Sequence, residues 1–210
     1  MNNLNDLIRR YPVLEPIKED IQKAYEILAA TYEKGGKVMV CGNGGSASDA
    51  EHIVGELMKE FRRKRPVPAA FAERLREIDE DPTDLIEGLQ GALPAISLNS
   101  QTALMTAFGN DADPALLFAQ QVLGYGREGD TLIALSTSGN SANVQKAARA
   151  ARGLGVKVVL ISGAGGGRIA PLSDAAICLP ETETYKIQEF HLPVYHALAL
   201  LIEEHFFGKC

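Results

Sequence analysis

His52 and Glu56 stand four residues apart in a stretch that reads as helix, so an imidazole and a carboxylate share one face about a turn from each other. Such a pair can move a proton, and it can also hold a metal ion. Just upstream, Gly42-Asn43-Gly44-Gly45-Ser46 forms a glycine-rich turn that lets a ligand approach bare main chain. The helix start that follows offers free N–H groups to an anion, with Ser46 or Ser48 as the expected N-cap. Taken singly, the glycines suit an ordinary strand-to-helix turn and the His–Glu pair an exposed ion pair. Together they point to a site. A second loop, Ser136-Thr137-Ser138-Gly139-Asn140-Ser141, sets four hydroxyls and several N–H groups before another helix. Hydroxyls, amides and a helix dipole can hold a phosphate without any lysine.

These loops need strands and helices to carry them. The apolar run Val38-Met39-Val40-Cys41 reads as a strand buried on both faces, spanning 37–41, with a helix over 47–60 behind it. Further strands are expected at 95–98, 130–135, 157–162 and 175–179. Helices are expected at 14–32, 101–108, 114–123, 141–153 and 184–207, the first closed by Gly35-Gly36 and the second by Gly109-Asn110-Asp111. This alternation predicts an α/β fold: a three-layer sandwich with a five-stranded parallel sheet flanked by helices, of flavodoxin-like or Rossmann-like topology. Ligands in such sheets bind beyond the carboxyl ends of the strands, so the loops after 37–41 and 130–135 should open on one edge.

Residues 62–92 break the pattern. Arg62-Arg63-Lys64-Arg65 is basic, Pro66 and Pro68 interrupt any helix, and 72–90 is acidic. The stretch reads as an insertion within a single domain 1–210, lying on the surface or arching over a site. Ala69–Ile78 and Thr83–Leu89 are its short helices, and the basic run a solvated face.

Acidic residues outnumber basic ones 27 to 21 in a chain of net charge −6, which argues against a nucleic-acid partner. No apolar run is long enough for a membrane span, and MNNLNDLIRRYPVL lacks the apolar core of a signal peptide. Cys41, Cys178 and Cys210 are odd in number and far apart, as reduced thiols of a cytoplasmic protein would be. Neither a dinucleotide fingerprint nor a P-loop is present, so no nucleotide cofactor is expected.

The pair GNGGSxxDAxH, with Glu four residues after the His, and STSGNS resembles the sugar isomerase (SIS) family, and within it the phosphoheptose isomerases. Gly109-Asn110-Asp111, and Ile187-Gln188-Glu189 followed by His196, extend the likeness over nearly the whole chain outside 62–92. The resemblance implies isomerisation of sedoheptulose 7-phosphate to the manno-heptose 7-phosphate on the way to ADP-heptose. It implies that Ser136, Thr137, Ser138 and Ser141 grip the phosphate, that Asn43, Gly44, Gly45 and Ser46 line the sugar, and that Asp111 binds its hydroxyls. Glu56 would carry the proton between C1 and C2, and His196 would serve the oxygens. Some members hold zinc at positions matching His52, Glu56, Gln188 and His196, so Gln188 would be a substrate contact, a metal ligand or both. His191, on another face, is left as structural. The family also implies a homotetramer with sites between subunits, and the apolar helix 184–207 would be an interface element. Two other classes share these motifs: scaffolds that bind the bacterial replication initiator, and phosphosugar-sensing regulators. The presence of both Glu56 and His196 favours the enzyme. Lys59-Glu60 and Gln101 depart from the family pattern, which makes the reaction type firmer than the choice of phosphosugar.

Overall fold

The computed structural model describes residues 2–208; Cys210 lies outside them. Strands β1 (Val38–Cys41), β2 (Ala95–Ser97), β3 (Thr131–Ser136), β4 (Lys157–Ser162) and β5 (Ala175–Cys178) form one sheet in the order β2-β1-β3-β4-β5. Every neighbouring pair is parallel. Central β3 is buried along its whole length, as a strand covered on both faces must be. The chain turns to one side of β1 to lay down β2 and to the other for β3. The crevice of this parallel sheet therefore opens at the carboxyl ends of β1 and β3.

Helices α1 (Asn2–Arg10), α2 (Lys18–Glu33), α3 (Gly45–Met58) and α9 (Thr184–Phe207) bury their apolar faces on one side of the sheet. Helices α7 (Leu117–Tyr125) and α8 (Ala142–Gly153) cover the other. Helices α4 (Ala69–Ile78) and α5 (Thr83–Gly88) lie in the 62–92 segment, and α6 (Thr102–Asp111) follows β2. Among the described residues no helix is long and apolar enough to cross a membrane. Cys41 and Cys178 are free thiols, and burial pushes that of Cys41 up to about 12.

Several elements differ from their sequence readings for local reasons. The helix expected from residue 14 starts at Lys18, because Pro12 and Pro16 keep Pro12–Ile17 in a 3-10 turn. Helix α3 starts at Gly45 with Gly44 at the N-cap and no side-chain cap, so neither Ser46 nor Ser48 has that role. Gly109-Asn110-Asp111 belongs to α6 instead of ending it. Helix α9 runs unbroken through Pro193. Its apolar residues Val194, Ala197, Leu198 and Leu201 are covered within the chain, partly by α1, which the sequence reading did not include. Helix α6 buries no residue and leaves Leu104 exposed, and Leu192 of α9 is exposed as well.

The basic run is only partly a solvated face. Arg62, Arg63 and Lys64 are exposed, but Arg65 is 2% exposed. Its guanidinium meets the buried carboxylate of Glu203 at 2.8 Å and donates to the carbonyls of Leu57 (2.8 Å) and Glu56 (3.1 Å). Those are the last carbonyls of α3, which the helix itself leaves without partners. Glu203 also accepts from the backbone N–H groups of Phe61, Arg62 and Arg63. The strap that leaves α3 is thereby pinned to α9.

Candidate active site

Helices α3 and α9 lie side by side and run the same way. Gly45 meets Gln188, Asp49 meets His191, and His52 meets both Tyr195 and His196. The first contact is close: a Cβ on residue 45 would stand 2.6 Å from Gln188 Nε2, so any side chain there would push the Gln188 amide aside. Each helix gives its apolar stripe to the sheet, and polar residues beside those stripes face one another in the seam.

Two turns into α3 the seam gathers three ionisable groups. His52 Nε2 lies 3.0 Å from Glu56 Oε1, and His196 Nε2 lies 3.5 Å from His52 Nε2. One ligating atom from each of the three falls within 4.8 Å of the others. Glu56 is 9% exposed, and its second oxygen, Oε2, is buried without a hydrogen-bond partner. Lys59 Nζ approaches that oxygen at 3.7 Å, an ion pair without a hydrogen bond. The rings of Tyr195 and Phe61 stand 5.0 and 5.2 Å from that of His196. Burial, together with the neighbouring His52, holds His196 below the ordinary imidazole range, against a smaller upward pull from Glu56. At neutral pH its ring is therefore neutral, with a lone pair to offer.

The loops after β1 and β3 adjoin, as their pairing in the sheet requires. Asn43 Nδ2 donates to Asn143 Oδ1 at 2.9 Å, and Asn143 Nδ2 donates back to Asn43 Oδ1 at 2.8 Å. Within the serine loop, Ser136 Oγ donates to Ser141 Oγ at 3.0 Å. Ser141 occupies the N-cap of α8 but makes no capping hydrogen bond from its own side chain, while Asn143 Oδ1 accepts from Val144 N–H at 3.0 Å. Gly139 makes the loop possible: its φ is +62°, and a Cβ there would lie 2.1 Å from the Gly166 carbonyl oxygen. Ser138 is exposed and Thr137 and Ser141 half-buried, whereas Ser136 is buried beneath them. Asn43, Gly44 and Gly45 are exposed, with Ser46 buried in the first turn of α3.

Of the proposed metal ligands, His52, Glu56 and His196 are brought together. Gln188 packs at the start of α3, seven residues before His52 and so about 10 Å back along the axis. Asp111 is exposed at the end of α6 and accepts from Asn110 Nδ2. Residues to which the sequence reading gave no role complete the seam. Tyr195 Oη lies 2.8 Å from His52 Nδ1, and Asp49 Oδ2 lies 2.9 Å from His191 Nδ1. The clues were slight: Asp49 precedes His52 by three residues, on the same helix face, and Tyr195 adjoins His196. His191, read as structural, is fully buried behind the seam.

Comparison with known proteins fixes the family. Two family models, each describing an SIS domain, match residues 2–92 and 92–201. The phosphoheptose isomerase of Rhodospirillum rubrum is 41% identical, over 88% of this chain and 85% of that protein. The chain belongs to the phosphoheptose isomerase family. The Helicobacter pylori (strain P12) phosphoheptose isomerase is 38% identical over 93% of this chain and 89% of its own length. Among solved structures, phosphoheptose isomerase GmhA from Neisseria gonorrhoeae matches with a TM-score of 0.75 and 31% identity, covering 95% of this chain and 94% of that one. A phosphoheptose isomerase from Francisella tularensis matches with a TM-score of 0.77 and 29% identity over the same shares.

Proposed function

We propose that this chain interconverts sedoheptulose 7-phosphate and D-glycero-D-manno-heptose 7-phosphate through an enediol, a step towards ADP-heptose. The observation that carries the reading is the buried carboxylate of Glu56, one oxygen turned to His52 and the other free, with His196 beside it. Glu56 takes the proton from C1 of the ketose and returns it to C2. His196, neutral at working pH, passes a proton between the oxygens on those carbons. Glu56, 9% exposed, is the shielded member of the three, while His52 and His196 open towards the substrate side of the seam. At the far end of the sugar, Ser136, Thr137, Ser138 and Ser141 receive the phosphate at the start of α8. Asn43, Gly44, Gly45 and Ser46 line the space between, with Gln188 against them and Asp111 reaching the hydroxyls. Carbonyl and phosphate are held by separate parts of the chain, which suits a sugar whose phosphate lies far from its carbonyl. A scaffold without catalysis would have no use for a buried carboxylate and two imidazoles gathered at one point.

The donor set fits zinc: two imidazole nitrogens and a carboxylate converge, and Glu56 Oε2 is buried without a partner. His52, Glu56 and His196 would hold the ion; Gln188 lies two turns back along the seam, against Gly45. When bound, it would polarise the sugar carbonyl as a Lewis acid. Elemental analysis of untagged protein purified without chelator should find about one zinc per chain. Chelation should remove activity and zinc re-addition restore it. Full activity in metal-free protein would exclude the ion from the reaction.

The uncovered apolar face of α6, with Asp111 at its end, supports a homotetramer whose sites lie between subunits. The free thiols support a cytoplasmic location. The test is to incubate purified protein with sedoheptulose 7-phosphate in deuterated water, with its mass followed by light scattering. Aldose formation with deuterium at C2 is the expected result. Neither product nor exchange from a folded tetramer would overturn the reading, and a monomer would overturn the shared site.

A further inference from the structure

We infer that Tyr195 and Asp49 are positioning residues for His52, fixing its ring with the hydrogen on Nδ1 so that Nε2 presents a lone pair to the metal position. The inference rests on the zinc reading above and concerns residues that reading does not use. Three groups converge in the seam, with His52 Nε2 lying 3.0 Å from Glu56 Oε1 and 3.5 Å from His196 Nε2. One hydrogen on His52 Nε2 could satisfy Glu56 but would leave His196 facing it at 3.5 Å with little to bind. A cation at that point satisfies all three, and it requires His52 Nε2 to be bare. A neutral imidazole carries one hydrogen, which must then sit on Nδ1.

The groups behind His52 are ordered to receive that hydrogen. The nearest polar atom to Nδ1 is Tyr195 Oη at 2.8 Å. A phenol that accepts from His52 keeps its own hydrogen to give, and Asp49 Oδ1 lies 3.5 Å away. The other Asp49 oxygen takes the Nδ1 hydrogen of His191 at 2.9 Å. His191 Nε2, left as a lone pair, is buried without a partner, which a ring protonated only on Nδ1 tolerates best. The chain therefore runs in one direction, from His52 to Tyr195 to Asp49, with His191 bracing Asp49 from the far side. Outer partners of this kind set the tautomer and basicity of a ligating histidine. Tyr195 is 3% exposed and stacks edge-on against both His52 and His196, so its hydroxyl is held in place.

Tyr195→Phe removes one oxygen and keeps the ring. Zinc affinity, measured by competition with a chromogenic chelator, is expected to fall about ten- to a hundredfold, with the thermal midpoint nearly unchanged. Nitrogen-15 shifts of the zinc-loaded wild type should show His52 with its hydrogen on Nδ1. Asp49→Asn, should the first variant fold poorly, is expected to weaken zinc in the same direction. Wild-type affinity in a folded Tyr195→Phe protein, or a His52 hydrogen on Nε2 in the loaded wild type, would overturn the inference while leaving the zinc reading intact. A wild-type protein that takes up no zinc overturns both.

Discussion

Glu56→Gln is expected to lower kcat by about a thousandfold, within the range that removal of a general base commonly costs. The change is nearly isosteric, and at the buried Oε2 position it removes no hydrogen bond, only the long ion pair to Lys59 at 3.7 Å. An amide cannot accept a proton from carbon, so the enediol step stops while the serine loop keeps its hold on the phosphate. Phosphosugar affinity should therefore stay within a few-fold, and deuterium exchange at C1 and C2 should vanish together with turnover. Zinc content has to be measured on the same sample, because Gln also ligates metal less well than Glu. Turnover retained in a variant of normal zinc content removes Glu56 from the mechanism.

The second large effect concerns Glu203, far from the reacting atoms. Its carboxylate is 1% exposed and receives the Arg65 guanidinium and three backbone N–H groups. Glu203→Ala leaves a buried guanidinium without its counter-charge, a loss of about 3–5 kcal/mol. Against a typical total of about 5–15 kcal/mol, that is severe. Denaturant titration checks the size. Replacing the pair together, as Arg65→Met with Glu203→Leu, should recover the part of the loss that comes from the unpaired charge, but not the part carried by the three N–H groups that Glu203 receives. It should not recover full kcat, since Arg65 also holds the carbonyls of Glu56 and Leu57 at the end of α3. A double variant with wild-type kcat would show that the strap only stabilises.

How far the sequence could lead depended on the range of each interaction. The sheet was legible because β1 and β3 are unbroken apolar runs, and burial on both faces permits little else. His52 and Glu56 were legible because helical spacing alone sets them on one face. His196 could not be placed by periodicity, since its partner is 144 residues away and the pairing exists only once α3 and α9 dock. The resemblance to SIS proteins supplied that link. Arg65 was misread for the same reason: within four consecutive basic residues nothing local separates the one whose counter-ion waits 138 residues further on. The capping serines failed on a subtler point. Gly44 takes the N-cap with φ +58°, which puts Ser46 inside the helix rather than in front of it.

The parallel seam of α3 and α9 also governs when the chain becomes reactive. Closing a loop of 144 residues is entropically expensive, and contacts of such separation form late in folding. Until α9 settles beside α3, neither imidazole has met its partner and Arg65 has no carboxylate to bind. A half-folded copy can expose its serine loop to phosphosugars, yet it has no assembled group to move a proton. The group that moves the proton therefore exists only in a copy whose α9 has docked on α3.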